Sequence, residues 1–258
     1  MISTINKQRE YFLSGETLSY GFRVRQLKAL RSAINKYEAR ILAALKKDLG
    51  KSAFESYATE VSMVYNEIAH AVKHLKGWMK DQRVPTTFTS FGARSRIHHQ
   101  PLGVILIMSP WNYPFQLTVG PLVAAMAAGN CVALKPSRYS ATTSQVLEEM
   151  ITERFSKEYI SLFQGGRDVN TELLKISFDH IFFTGSARVG KIVMEAAAKS
   201  LTPVSLELGG KCPCIVDKTA EIKKTAKRII WGKAINAGQT CVAPDYVLAS
   251  SAVREELI

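Results

Sequence analysis

The chain has 258 residues, 47% hydrophobic and 22% charged, enough apolar side chain for one large core or two modest ones, which excludes a disordered polymer. Its net charge of +12 comes from lysines spread along amphipathic stretches, such as Lys46, Lys47 and Lys51 or Lys223, Lys224, Lys227 and Arg228, with no interleaved aromatics. That pattern reads as solvated helix faces and predicts no nucleic-acid partner. The most apolar stretch, Leu117 to Leu134, is broken by Gly120, Pro121, Gly129 and Asn130, so no membrane span is expected. The first residues carry no signal-peptide core, and Cys131, Cys212, Cys214 and Cys241 fit neither a disulfide framework nor a metal site. The expectation is a cytoplasmic globular protein.

From about Ile5 to Met79 apolar residues recur at three- and four-residue intervals (Leu27, Leu30, Ile34; Ile41, Leu42, Leu45), which predicts helices. One is expected to end at Gly50 and the next to run from near Ala53 to Lys80. Val84 to His99, β-rich around a turn at Gly92, reads as a hairpin whose exposed arms suit pairing with another subunit.

Beyond it, short apolar runs alternate with helical segments. The runs are 104–108, 131–135, 160–163, 180–184 and 204–208; the helical segments are 114–128, 142–155, 168–175 and 188–200. Five buried strands with crossovers predict an α/β fold, a doubly wound, Rossmann-like parallel sheet preceded by helices. A last helix, about Ala220 to Ala237, leads to a turn at Cys241. The division expected is 1–82, an N-terminal helical part; 83–100, the hairpin; 101–209, a nucleotide-binding domain; and 210–258, the start of a second α/β domain.

Four segments fall at strand ends or just after. Ser109-Pro-Trp-Asn-Tyr-Pro114 ends the first buried strand in a stiff loop, where Asn112 can offer an amide to an anionic oxygen. Lys135-Pro-Ser137 ends the second, where a lysine reaches ribose hydroxyls or phosphate, or is simply a surface residue before a turn. Phe183-Thr-Gly-Ser-Ala-Arg-Val-Gly-Lys191 runs from a strand into a helix, a phosphate-binding context. It nearly matches a P-loop, but Ile192 stands where magnesium needs a hydroxyl, which weakens an NTPase reading; a plain turn is the alternative. Gly50-Lys-Ser52 is a second, weaker P-loop decoy. In Val204-Ser-Leu-Glu-Leu208, followed by Gly209 and Gly210, Glu207 is expected to be partly desolvated and so suited to act as a base. Gly238-Gln-Thr-Cys241 offers a nucleophile in a small, uncharged turn, against the plainer reading of a buried small hydrophobe.

Taken together, Pro-Trp-Asn-Tyr-Pro at 110–114, Lys-Pro-Ser at 135–137, Phe-Thr-Gly-Ser at 183–186, Leu-Glu-Leu-Gly-Gly-Lys at 206–211 and Gly-Gln-Thr-Cys at 238–241 resemble the aldehyde dehydrogenase superfamily. The absence of a long N-terminal extension and the Asp48-Leu-Gly-Lys-Ser52 segment are most similar to its class 3, fatty-aldehyde-type branch. The resemblance covers the whole chain. It implies oxidation of an aliphatic or aromatic aldehyde to a carboxylic acid with NAD or NADP and no metal. Cys241 would be the nucleophile, Asn112 and the Cys241 amide the oxyanion donors, and Glu207 the deacylating base. Trp111, Lys135, Ser137, Arg138, Gly185, Ser186, Gly190, Leu208 and Gly209 would form the cofactor site.

Two departures qualify this. Arg138 stands where many relatives have a glutamate that disfavours a 2′-phosphate, so NADP use is expected to be open. The chain also stops at Ile258, inside what the family builds as its catalytic domain, so weak or absent turnover and exposed apolar surface beyond Lys211 are expected. The alternative is a nucleotide-binding or subunit-interaction fragment; transfer of the acyl group to CoA is a further variant, against which Glu207 argues. A homodimer is implied for the full-length protein.

Overall fold

The computed structural model describes residues 1–258. Helix α1 (Ile2–Leu13) is followed by α2 (Tyr20–Leu49), whose buried stripe (Leu27, Leu30, Ile34, Ile41, Leu45) has the spacing of one helix face. Ser19 caps α2 through its hydroxyl, and Gly50, at φ 72°, ends it in the left-handed conformation. Ser52 then caps α3 (Ala53–Ser56), a π-helical turn spans Tyr57–Val61, and α4 (Ser62–Trp78) continues.

Strands β1 (Gln82–Val84) and β2 (Ser95–Ile97) pair antiparallel, forming the expected hairpin. Phe88 and Phe91 at its tip are both 90% exposed.

The sheet follows: β3 (Val104–Met108), α5 (Gln116–Ala128), β4 (Cys131–Lys135), α6 (Ala141–Arg154), β5 (Ile160–Leu162), α7 (Arg167–Leu173), β6 (His180–Gly185), α8 (Ala187–Ala198) and β7 (Val204–Leu208). All pairings are parallel, in the order β5-β4-β3-β6-β7. β3 and β4 are buried at every position because both are interior strands of a sheet with helices packed on it, which is why they read as unbroken apolar runs. The strand order reverses between β3 and β6, and the crevice beyond the carboxyl ends of such strands is where doubly wound sheets hold ligands. One cluster of 45 buried residues joins this sheet to α1, α2 and α4.

The last fifty residues differ from the sequence reading. Cys212–Val216 and Pro244–Ala249 form a two-stranded parallel sheet, β8 and β9, that periodicity did not reveal. Between them α9 (Ile222–Ala234) stops three residues before the expected Ala237, because Asn236 and Ala237 adopt left-handed angles (φ 52° and 53°) ahead of Gly238 (φ 77°). A short α10 (Arg254–Leu257) ends the chain. The apolar surface expected beyond Lys211 is present: Ile215, Ile230, Trp231, Val242 and Leu248 all face solvent. No helix is long and apolar enough to cross a membrane.

Candidate active site

Parallel register brings the motif residues to one edge of the sheet. Met108 pairs with Lys135 and with Phe183, and Gly185 pairs with Leu208, so the Ser109–Asn112 loop, Lys135, the Gly185-Ser186 turn and Leu208-Gly209 all leave from the carboxyl ends of neighbouring strands.

The Asn112 loop and the Cys241 turn are joined directly. The Asn112 side-chain amide donates to the Gln239 carbonyl at 2.9 Å, and the Tyr113 hydroxyl meets the Thr240 hydroxyl at 2.6 Å. An amide nitrogen carries two hydrogens, so the bond to Gln239 orients the group and leaves the second for another acceptor. Cys241 is a free thiol exposed to solvent. Its carbonyl oxygen accepts from the Cys212 thiol at 3.4 Å, and the Gly210 backbone packs against the same carbonyl so closely that a Cβ there would collide with it. Glycine at 210 is therefore required by the approach of the Glu207–Lys211 segment to the cysteine turn.

Glu207 does not fit the expectation of a partly desolvated base: its side chain is exposed. β7 is an edge strand paired only with β6, so nothing covers the end of the strand where Glu207 lies. The structure brings its segment to Cys241 but does not bury its carboxylate.

Lys135 is 3% exposed, and its ammonium folds back onto the Pro136 carbonyl at 2.7 Å. Burial, helped by the nearby Arg138 charge, pulls its pKa down to about 8. A buried ammonium held by one neutral carbonyl at a strand end is suited to a ligand with hydroxyl or anionic oxygens. Arg138 is exposed and lies over the Tyr139 ring at 4.9 Å, and Gly166 leaves room for its stem. Arg138, and more distantly Arg188 at the start of α8, lower the Tyr139 phenol pKa, which places a second and third positive charge near this corner.

Ser186 caps α8 by accepting from the Val189 amide. The amides of Ala187 and Arg188 have no carbonyl within the helix to receive them and face the anion-favouring end of its dipole. Gly190 is buried, and a Cβ would lie 2.9 Å from Leu208, so this glycine lets α8 pack closely on β7. Trp111, Ser137 and Gly209 lie in the loops at the same edge. A helix N-terminus, a buried lysine and exposed arginines beside one crevice fit a dinucleotide with its diphosphate and ribose groups.

A group of residues behind the Asn112 loop was not anticipated from the sequence. Lys51 is 3% exposed and Glu60 is fully buried, and they form an ion pair at 2.5 Å. The other Glu60 oxygen accepts the Phe115 and Gln116 amides (2.9 and 3.1 Å) and so caps α5. Burial raises the Glu60 pKa, against the pull of Lys51 and the two amides. Asn236, also 3% exposed, donates to the Asn112 carbonyl at 2.8 Å and to the Gln239 carbonyl at 3.2 Å. One signal was available: Glu60 stands in line with Val64, Ile68, Ala71 and Leu75, a carboxylate on the buried stripe of its helix.

Residues 3–258, all but the first two of the chain, match the aldehyde dehydrogenase family. Curated relatives include the aldehyde dehydrogenase family 3 protein comG of Dictyostelium discoideum, 48% identical over all of this chain and 55% of its own length. The dimeric NADP-preferring aldehyde dehydrogenase of Rattus norvegicus is 47% identical over 99% of this chain and 56% of its own. A substrate-bound structure of Staphylococcus aureus AldH superposes with a TM-score of 0.96 at 45% identity, covering 99% of this chain and 56% of that one. The chain spans about half the length of the relatives it matches. With the five motifs gathered at the sheet edge and the cysteine turn, this chain belongs to the aldehyde dehydrogenase family, with relatives of the class 3 type.

Proposed function

We propose that this chain is the cofactor-binding and nucleophile-bearing part of an NAD(P)-dependent enzyme that oxidises an aldehyde to a carboxylic acid. The observation that carries the reading is the bond from the Asn112 amide to the Gln239 carbonyl, which ties an oxyanion donor to the turn bearing an exposed Cys241.

The Cys241 thiolate adds to the aldehyde carbon, and the oxygen becomes an alkoxide held by the free Asn112 amide hydrogen and the Cys241 backbone amide. NAD(P), when bound, supplies the hydride acceptor. Loss of hydride from that carbon leaves a thioester on Cys241. Glu207 then takes a proton from a water that attacks the thioester carbon, the acid leaves, and sulfur departs as the thiolate. Exposure of Glu207 leaves its carboxylate open to water, and water as acceptor is favoured over CoA by the presence of this base. Lys135 and Ser137 would hold the adenosine ribose, Ser186 with the first amides of α8 the diphosphate, and Trp111, Gly185, Gly190, Leu208 and Gly209 would shape the crevice. Arg138, beside Lys135 and Arg188, favours acceptance of a 2′-phosphate, in keeping with the name of the rat relative.

Calorimetry with NAD and NADP tests the binding half: Lys135→Ala is expected to weaken both cofactors, and Arg138→Glu to weaken NADP more than NAD. A strong preference of the unaltered chain for NAD would sink the role given to Arg138. Turnover is tested with an aldehyde and either cofactor by the rise of reduced nicotinamide. It is expected to be weak or absent, because the segment carrying Cys241 leaves much of its apolar surface uncovered. Cofactor binding without turnover would make the isolated chain a nucleotide-binding module. Phe88 and Phe91 at the hairpin tip support a role for residues 83–100 in a homodimer, tested by sedimentation of Phe88→Ser/Phe91→Ser.

A further inference from the structure

The segment from Lys51 to Val61 touches both halves of the candidate active site. Lys51 donates to the Asn112 carbonyl at 3.3 Å, and its ammonium lies 4.1 Å from the centre of the Tyr113 ring. Glu60, presented by the π-helical turn, fixes the amides of Phe115 and Gln116 that follow the loop. Glu55 accepts the Asn236 backbone amide at 2.7 Å. Asn236 in turn bridges the Asn112 and Gln239 carbonyls. The carbonyl of the oxyanion donor is thus held from the helical side by Lys51 and from the cysteine side by Asn236.

Stability does not explain this arrangement. A buried ion pair loses the hydration of both partners, and well-packed neutral residues of similar volume commonly replace one at no cost to the fold. The cysteine turn also has an unusual backbone: Asn236 and Ala237 are left-handed, a conformation that asparagine tolerates but alanine avoids at roughly 1–2 kcal/mol. Such a turn keeps its shape only if outside contacts determine it. The contacts here are polar, directional and aimed at the Asn112 and Gln239 carbonyls and the Asn236 backbone amide.

We infer that Lys51, Glu60 and Asn236 are positioning residues, which hold the Asn112 amide and the Cys241 sulfur in one fixed frame. They touch neither substrate nor cofactor and act through Asn112 and the 236–241 turn. The inference rests on the reading of Asn112 as the oxyanion donor.

Two reactions at Cys241 separate positioning from bulk effects. With 4-nitrophenyl acetate the sulfur attacks the ester carbon, an oxyanion forms and collapses, 4-nitrophenolate leaves and an acetyl thioester remains. With iodoacetamide the sulfur displaces iodide from a saturated carbon, and no oxyanion forms. Thiol ionisation and accessibility affect both rates, whereas the placement of Asn112 affects acylation alone. Rates at Cys241 are read on the 258-residue chain by peptide mass spectrometry, which distinguishes it from Cys212 and Cys214. The variants are Lys51→Met/Glu60→Gln, which removes both charges together, Asn236→Ala, and Asn112→Ala as the reference for complete loss of the donor.

Misplacement of a reacting group by about 1 Å costs on the order of 100-fold, and loss of an oxyanion donor about 100- to 1,000-fold. Acylation in the double variant and in Asn236→Ala is therefore expected to fall by at least ~10-fold, towards the Asn112→Ala level, with alkylation within about twofold of the unaltered chain. If Asn112→Ala slows acylation but the other variants do not, or if acylation and alkylation fall together, the positioning role is overturned while the oxyanion reading stands. If Asn112→Ala itself acylates at the normal rate, the oxyanion reading fails and the inference fails with it. Asn236→Ala removes no charge, so it decides the matter even if the double variant does not fold.

Discussion

The five-stranded sheet and the β8–α9–β9 unit are built from similar elements but held by different forces. The first is closed around one cluster of 45 buried residues that takes in the N-terminal helices. The second has a cluster of three, Val216, Ile222 and Val253, and presents Ile215, Ile230, Trp231 and Leu248 to solvent. Cys241 belongs to the weaker unit. The bonds that tie its turn to the stronger one are polar: Asn112 to Gln239, Tyr113 to Thr240, Asn236 to Asn112, and Glu55 to Asn236. The difference teaches that a turn need not sit on a well-packed element to be held in place if hydrogen bonds register it against one.

This contrast can be broken first by core substitution. Leu106→Ala, on the central strand β3 and fully buried, is expected to cost about 2–5 kcal/mol in denaturant unfolding, whereas Ile222→Ala in the small cluster should cost less than about half of that. Equal costs would mean that both units unfold as one. Hydrogen exchange sharpens the same point: amides of β8 and β9 should exchange through local opening well before those of β3 and β4, which should exchange only on global unfolding. Equal protection would contradict the division.

A subtler effect concerns Lys135, inside the stronger unit. Its pKa is about 8 in the fold against an ordinary 10.5, so below pH 8 it is charged in both folded and unfolded chains and burial of that charge opposes folding. Between about 8 and 10.5 the unfolded chain retains a proton the folded chain has lost, and stability therefore rises with pH across that window. Cofactor affinity should move in the opposite direction and weaken as pH rises through 8, since the neutral amine loses the charge-assisted hydrogen bond it is proposed to make to the ribose. Lys135→Met should flatten both profiles, and melting curves with titration calorimetry at several pH values would show it. The smallest effect is expected at Trp231, 70% exposed on α9: Trp231→Glu should change stability by no more than ~0.5 kcal/mol in denaturant unfolding.

The sheet was readable because strands buried on both faces leave continuous apolar runs; 104–108, 131–135 and 204–208 match the observed strands residue for residue. β8 and β9 were not readable. Cys212-Pro-Cys-Ile-Val216 carries a proline, and β9 has mostly exposed residues, so neither shows a run or an alternation. α9 was read too long because Ile235, Asn236 and Ala237 continue its composition; only the positive φ angles reveal the stop. Asn112, Cys241, Lys135 and Ser186 were found as motif residues at strand ends or in the loops beyond. The burial of Glu207 was misjudged because its apolar neighbours in sequence belong to an edge strand.

By itself the sequence determined the alternation of strands and helices, the motifs that identify the family, and the kinds of side chain available for chemistry. These depend on local pattern and residue type, which the chain carries in one dimension. The tertiary structure alone decided that Lys51, Glu55, Glu60 and Asn236 converge on the Asn112 loop and the cysteine turn. Those partners lie up to 181 residues apart, and their meeting depends on how the helices, the sheet and the final turn pack. It also tied the Cys241 turn to the Asn112 amide while leaving the Glu207 side chain open to solvent.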